Sequence, residues 1–197
     1  MTTIYLVRHG RTALNPEGRF RGRHDVPLDD VGLKEAAVAA DALSAVKLAA
    51  AYSSPLARAH DTADVIAQRC GIEVIVMPAL TDLDYGAWQG LTQAEARSRD
   101  PREYETFKSD PLRAGPPGGE SIAALKTRVL RCLEQIATQS AAAPVAAVTH
   151  EVPMRAVLAE TSDGGDRFWD HDVATGAMFA LAIRRDDGWS IRPWPPL

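Results

Sequence analysis

Two histidines, two arginines and a carboxylate in this chain stand at positions where they could work together on a phosphate ester. Arg8-His9-Gly10 follows directly on the apolar run Ile4-Tyr5-Leu6-Val7, and His150-Glu151 follows directly on the run from Val145 to Thr149. Arg58 comes shortly after Ser53-Ser54, and Asp82 shortly after Val74-Ile75-Val76. Arginine offers permanent charge and planar paired donors, which suit a phosphate dianion better than lysine does. A neutral histidine beside such arginines can attack phosphorus through its free ring nitrogen and carry the phosphoryl group covalently. A second histidine, as a hydrogen-bond donor or an imidazolium, would stabilise charge on the equatorial oxygens. A carboxylic acid within reach would protonate the leaving alkoxide and then activate water.

Short runs of apolar and β-branched residues predict the strands that would position these groups. They are Ile4 to Val7, a weaker alanine-diluted run from Leu48 to Tyr52, Val74 to Val76, and Val145 to Thr149. Helical patterns lie between them. Asp29-Asp30 caps an alanine-rich stretch carrying Val31, Ala37, Val38 and Leu43. Ser53-Ser54-Pro55 offers cap chemistry for a helix that runs to about Cys70 and stops at Gly71. Ile122, Leu125, Val129, Cys132, Leu133 and Ile136 follow three-and-four spacing, so a long helix after Gly118-Gly119-Glu120-Ser121 buries one stripe. A short helix through Arg155 and Leu158 follows the last of these strands. Met178 to Ile183 and Trp189 to Ile191, around Asp187-Gly188, predict a closing antiparallel hairpin.

This alternation predicts an α/β fold: a three-layer α/β/α sandwich with a mostly parallel sheet. In such sheets ligands collect beyond the carboxyl ends of the strands, which is where the candidate residues fall. From 91 to 117 apolar residues thin out and Pro101, Pro111, Pro116 and Pro117 punctuate the chain, so this stretch reads as a small helical cap insertion. With 197 residues, at roughly 150 per domain, residues 1–197 are expected to form a single domain carrying that insertion.

Composition narrows the classes further. An apolar share of 46% and a charged share of 24% are those of a globular protein. No apolar run approaches the ~18–20 residues of a membrane span, and MTTIYLVRHG is too short and too quickly charged for a signal peptide. Cys70 and Cys132 have neither metal spacing nor a partner pattern and read as reduced thiols, so a cytoplasmic location is expected. HExxH, GxxxxGK[ST] and GxGxxG are absent. The chemistry above asks for no metal or other cofactor, and none is expected. Net charge is −4, yet the stretch from Arg8 to Asp25 sets Arg8, Arg11, Arg19, Arg21 and Arg23 against Glu17 and Asp25 alone. That island reads either as a local anion site or as a solvated basic loop. It lacks the broad basic face and aromatic platforms that nucleic acid would want.

Each residue has a plainer reading when taken alone. Arg58 suits a surface helix, His150 a hydrogen-bonded structural role, and Asp82 a turn or cap. Placement at successive strand ends is what joins them. His60 sits two positions from Arg58 and so faces another way on the helix. His24 lies in the basic loop within reach of a substrate, and His171-Asp172 has no evident role. The charges from Arg97 to Lys108 read as a solvated face, with Arg102, Lys108 and Arg113 placed to screen an anionic substrate.

The stretch LVRHGRTALNPEGRFRGRHDVPLDDVGLKEA resembles the opening signature of the histidine phosphatase superfamily, the phosphoglycerate-mutase-like group. The resemblance continues in order through SSPLARAHDTA, LTDLDYGAWQGLT, GGES and VTHEVPMRAVL. It implies that His9 is the phosphorylated nucleophile and that Arg8, Arg58 and His150 complete the phosphate pocket. Asn15 would add a side-chain contact to phosphate, and Thr12 would support its loop or touch the substrate. Arg19, Phe20, Arg21 and the segment from Tyr85 to Trp88 would lie near the leaving group, with Trp88 equally readable as core.

Two positions depart from that pattern. Asp82 stands where the small members usually carry a glutamate proton donor, one methylene longer. Glu151 stands where they usually carry glycine, and it would repel phosphate, act as the acid, or turn aside and pair with an arginine. The resemblance thus implies a metal-independent phosphomonoester hydrolase acting on a small phosphorylated metabolite through phosphohistidine. Two alternatives stay open: a mutase that moves the phosphoryl group within a phosphorylated acid, and a catalytically impaired phosphate-binding or partner-binding module.

Overall fold

The structure is a computed structural model that describes residues 2–140, 143–161, 165–184 and 188–195. Six strands form one sheet: β1 (Thr2–Arg8), β2 (Ala51–Ser53), β3 (Val74–Val76), β4 (Val145–Thr149), β5 (Met178–Arg184) and β6 (Gly188–Trp194). Their order is β3-β2-β4-β1-β5-β6. The first four pair in parallel, and β5 and β6 add an antiparallel edge, so the sheet is mostly parallel as the alternation predicts. The helices are α1 (Asp30–Ser44), α2 (Ala57–Cys70), α3 (Gln93–Arg99), α4 (Pro101–Ser109), α5 (Ile122–Gln139) and α6 (Glu151–Thr161).

Helices cover both faces of the sheet, and β1 shows why a continuous apolar run is needed there. Tyr5 and Val7 pack with Ala39, Leu43, Ala63 and Ile66 of α1 and α2. Ile4 and Leu6 point the other way, into a core with Leu125, Val129, Leu133 and Ile136 of α5. The stripe predicted for α5 is the buried one, residue for residue. In α1, by contrast, Val31 and Val38 face solvent, while Gly32, Ala36, Ala39, Ala40 and Leu43 face inward. Alanines on α1 meet Ala59 and Ala63 of α2, so small side chains let the two helices approach closely.

Residues 91–117 fold as α3, α4 and their flanking loops. Tyr104 and Phe107 of α4 insert into the same core as Trp88. Trp88 is fully buried and donates Nε1–H to Asp100 at 2.7 Å, which settles it as core. The hairpin strands form as expected, although the turn residue Asp187 lies outside the described residues. Cys70 and Cys132 are both free thiols. No helix among the described residues is long and apolar enough to cross a membrane.

Two termini differ from expectation. The second strand occupies Ala51–Ser53 rather than beginning at Leu48, because its partners Val148 and Val76 hold it through Ser53. Helix α2 starts at Ala57 with Leu56 as an N-cap that offers no side-chain acceptor. The carboxylate of Asp25, from the basic loop, accepts from Ala57 N at 2.7 Å instead of the local serines. At α1 the expected cap holds, with Asp29 accepting from Val31 N and Gly32 N.

The turn after β1 is pressed against the start of α1. A Cβ on Gly10 would lie 2.3 Å from the Gly32 carbonyl oxygen, and one on Gly32 would lie 2.0 Å from that of Arg11. Both neighbours are backbone, so neither can rotate away. Gly10→Ala is expected to cost roughly 2 kcal/mol by overpacking and to lower the melting temperature by about 4–8 °C. Thermal unfolding followed by circular dichroism tests this, and an unchanged midpoint would mean that the contact yields freely.

Candidate active site

Strand register brings the two histidines together. Arg8 of β1 lies opposite Thr149 of the parallel neighbour β4, so the next residues, His9 and His150, leave the sheet side by side. Their ring centroids are 5.0 Å apart. His9 N donates to Thr149 O at 3.0 Å, and Ser54 N donates to Val148 O at 3.1 Å, which sets the end of β2 beside them. Ser54 Oγ reaches His150 Nε2 at 2.8 Å. That hydroxyl already accepts from Leu56 N, so its own proton is available to His150 Nε2.

His9 is 1% exposed, and its ring has an assigned direction. Nδ1 bonds the Gly10 carbonyl at 2.6 Å and must therefore carry the proton. Nε2 then holds the lone pair and accepts from Arg58 Nε at 3.2 Å. Burial, then Arg58, then Arg8 hold the His9 imidazole well below its ordinary range, so it is neutral. Burial and the same two guanidiniums act on His150 in the same direction.

Arg58, in the first turn of α2, is fully buried. Its Nη1 donates to His24 O at 2.8 Å, and its Nη2 donates to Gly22 O at 2.8 Å and to Asp82 Oδ2 at 3.4 Å. Thr62 fixes its position relative to the nucleophile, donating to Arg58 O while accepting from Gly10 N. Arg8 bonds the Val173 carbonyl through Nη1 and pairs with Glu151 through Nη2 at 3.0 Å. The buried Arg8 Nε, Arg21 Nε and His150 Nδ1 have no hydrogen-bond partner. Three donor-type nitrogens held dry without acceptors are what an anion-binding site presents to its ligand.

Asp82 is buried, and its carboxyl is pushed above the ordinary range by burial, against the opposing pull of Arg58. Arg128 of α5 secures its loop. The guanidinium grips Glu120 at 2.6 and 2.8 Å and donates to the carbonyls of Ala79, Thr81 and Asp82.

A cavity of about 310 Å³ opens beside these groups. Its walls include Arg8, Asn15, Arg19, Phe20, Arg21, Asp82, Tyr85 and Glu151, all expected from the sequence. Lys108 of α4, Arg155 of α6 and Trp169 also line it, and Lys108 Nζ sits 4.7 Å above the Trp169 ring. His9, Arg58 and His150 do not line the cavity. Thr12 does not either: it is fully buried and gives its N–H and hydroxyl to Asn15 Oδ1 at 2.8 and 2.9 Å, so of the two readings it holds the loop. Arg19 is engaged by Glu17, Glu95 and the Gly90 carbonyl. The Phe20 ring lies 4.6 Å from that of Tyr85 at a 39° tilt, and both line the cavity.

Some contributors carried little signal in the sequence. Ser54 reads there as a cap, and Thr62 and Arg128 as ordinary helix positions. Arg155 was findable, because it lies four residues after Glu151 on one helix. Among the described residues, His60, Asp61 and Asp64 bring ligand-type atoms within 4.8 Å of one another. They lie outside the cavity, and His60 simply pairs with Asp64 at 3.0 Å on a partly exposed face.

Known proteins share both the sequence and the fold. A bifunctional protein of Mycobacterium tuberculosis is 38% identical over 165 residues, which is 83% of this chain and 45% of that protein. The chain thus spans about half the length of the mycobacterial relatives it matches. A metal-independent phosphoserine phosphatase of Arabidopsis thaliana is 36% identical over 98% of this chain and 81% of its own length. The solved structure of a mycobacterial glucosyl-3-phosphoglycerate phosphatase with VO3 superimposes with a TM-score of 0.88, at 25% identity over the whole of both chains. Residues 4–195 match the histidine phosphatase superfamily (branch 1). Relatives at this identity and coverage, a matching fold and a family match across nearly all of its length agree: this chain belongs to the histidine phosphatase superfamily.

Proposed function

We propose that this protein is a metal-independent phosphoric monoester hydrolase that works through a phosphohistidine on His9. What carries this reading is the state of His9, a neutral imidazole whose Nε2 lone pair lies against Arg58 while Nδ1 is tied to Gly10. In the first step Nε2 attacks phosphorus and the ester P–O bond breaks. The departing alkoxide takes the proton of the Asp82 carboxyl. In the second step Asp82, now ionised, takes a proton from water as the water oxygen attacks phosphorus. The P–N bond breaks, its electron pair returns to Nε2, and inorganic phosphate leaves. Arg8, Arg58 and His150 stabilise the equatorial oxygens in both steps. The Arabidopsis relative, named as metal-independent, supports a route without a metal.

The substrate is a small phosphorylated metabolite, because about 310 Å³ is at the lower end for ligand sites. Arg21 and Lys108 on the cavity wall favour one with a further anionic group, and α3 and α4 act as the cap that supplies Lys108. A phosphorylated hydroxy acid of phosphoserine type, as the Arabidopsis relative's name indicates for that protein, meets both conditions.

Asp82→Asn is expected to lower kcat by about 10²–10⁴-fold, the usual worth of general acid–base catalysis. Glu151→Gln retains turnover when both variants are assayed on a panel of phosphomonoesters. Loss confined to the Glu151 variant would reassign the donor. Phosphate release without a bisphosphate primer separates hydrolysis from mutase action, and no turnover of an aryl phosphate between about pH 5 and 8 would favour a binding module. With an aryl phosphate, whose leaving group needs no proton, a rapid acid-free quench should trap an acid-labile phosphoryl group that Asp82→Asn accumulates and His9→Ala abolishes.

The pH dependence follows from two opposite requirements. His9 must be deprotonated, and its lowered pKa places the rising limb below the ordinary histidine range. Asp82 must be protonated, and its raised pKa places the falling limb above the ordinary carboxylate range. The expected kcat/KM profile is a bell on the acidic side of neutrality, losing its falling limb in Asp82→Asn. A flat wild-type profile would remove this acid–base assignment.

A further inference from the structure

Both guanidiniums of the phosphoryl site are already closed by carboxylates of the chain itself, and the two closures differ. Arg58 meets Asp82 at 3.4 Å in a fully buried setting. Arg8 meets Glu151 at 3.0 Å, where the Glu151 side chain is 32% exposed and lines the cavity. The two oxygens of Glu151 are divided between two partners. Oε2 faces Arg8 Nη2, while Oε1 accepts from Arg155 Nε at 3.2 Å and Nη2 at 3.0 Å. Arg155 is itself anchored, donating through Nη1 to the Trp169 carbonyl at 2.5 Å.

We propose that Glu151 is an internal counter-anion that occupies Arg8 in the free protein and is handed over to Arg155 when a phosphoryl group binds. This rests on the reading of Arg8 as part of the phosphoryl site. A buried guanidinium costs much less when paired than when bare. Burial pushes the Arg8 guanidinium below its ordinary range, and Glu151 is the foremost charge pulling it back. A dianion entering beside Arg8 can replace the Oε2 contact, and Oε1 keeps its two bonds to Arg155. Glu151 thus yields Arg8 by a side-chain rotation without becoming an unpaired charge. Its cost to the protein is weaker affinity for phosphate, so Glu151 sets how tightly substrate and product are held. Glu151 acts here only as a partner shared by two guanidiniums, which separates this role from that of the proton donor.

The test is equilibrium binding of inorganic phosphate, by calorimetry and as a competitive inhibitor, on the full chain. Glu151→Gln removes the competing charge and should tighten phosphate about five- to tenfold. Arg155→Met removes the alternative berth, leaves Glu151 to Arg8 alone, and should weaken phosphate by several-fold. The double variant should bind like Glu151→Gln. Opposite shifts of this kind are not produced by general damage to the site, which would weaken phosphate in both. Unchanged or weakened binding in Glu151→Gln overturns the proposal, as does unchanged or tighter binding in Arg155→Met. Should Glu151→Gln fail to fold, Glu151→Ala removes the same charge and is read in the same way against Arg155→Met. If the wild type binds no phosphate at all and Arg8→Met is no different, the reading of the phosphoryl site has failed as well, and that outcome differs from every one above.

Discussion

Two guanidinium groups buried next to two imidazoles impose the constraint that organises the rest of this molecule. Arg8 is 6% exposed and Arg58 is 0% exposed. Charges that cannot be deprotonated must be compensated wherever they are taken out of water. The compensation comes from three sources: backbone carbonyls of distant loops, carboxylates of the cavity wall, and the neutral nitrogen of His9. Carbonyls of Gly22, His24 and Val173 belong to segments that are irregular in structure, and they are irregular where they turn an oxygen toward an arginine. Gly22 takes a positive φ of 48°, and a Cβ there would lie 2.6 Å from the Leu83 carbonyl oxygen, so the loop that serves Arg58 also packs against the Asp82 segment.

The same electrostatics explain why the histidines are neutral and not cations. Each imidazole is dry and faces permanent positive charge, so protonation is disfavoured twice over. Hydrogen bonds then decide which nitrogen of His9 is free. The Gly10 carbonyl is aimed at Nδ1 because the turn after β1 is compressed against Gly32, a contact only glycine at both positions permits. A steric feature of the backbone thereby favours one tautomer, and that tautomer leaves the lone pair on Nε2.

Much of this was legible in the chain, for identifiable reasons. Strands buried on both faces leave short unbroken apolar runs, and β1 and β4 are visible as such; β3 carries a similar run although Ile75 and Val76 are exposed at the sheet edge. Helix α5 buries one narrow stripe, and its period shows. Polar residues just past each strand mark the sheet edge, which located Arg8, His9, Arg58, Asp82 and His150 together. Residues that act across the fold left no such trace. Asp25 caps a helix 32 positions away, Arg128 collects carbonyls from Ala79 to Asp82, and the pairing of Ser54 with His150 depends on the register of two strands distant in sequence. The outward face of α1 was illegible for a different reason: valine outranks alanine in hydrophobicity, but the close approach to α2 demands the smaller side chain.

Asp82 and Glu151 are two carboxylates of one cavity held in different settings. Both line it, and both face an arginine of the phosphoryl site. Asp82 has little access to water, its loop is pinned by Arg128, and burial raises its pKa despite Arg58. A proton is therefore affordable to it in a way that it would not be in water. Glu151 heads helix α6, reaches solvent, and divides its oxygens between two cationic partners. Under the proposed reading, passing a proton from Asp82 to the departing oxygen and recovering one from water needs a rigid, dry group. Yielding an arginine to an incoming anion needs a mobile one with somewhere else to go. Burial distinguishes the two residues in that sense, and the shorter side chain at position 82 fits the rigid duty because less of it has to be immobilised.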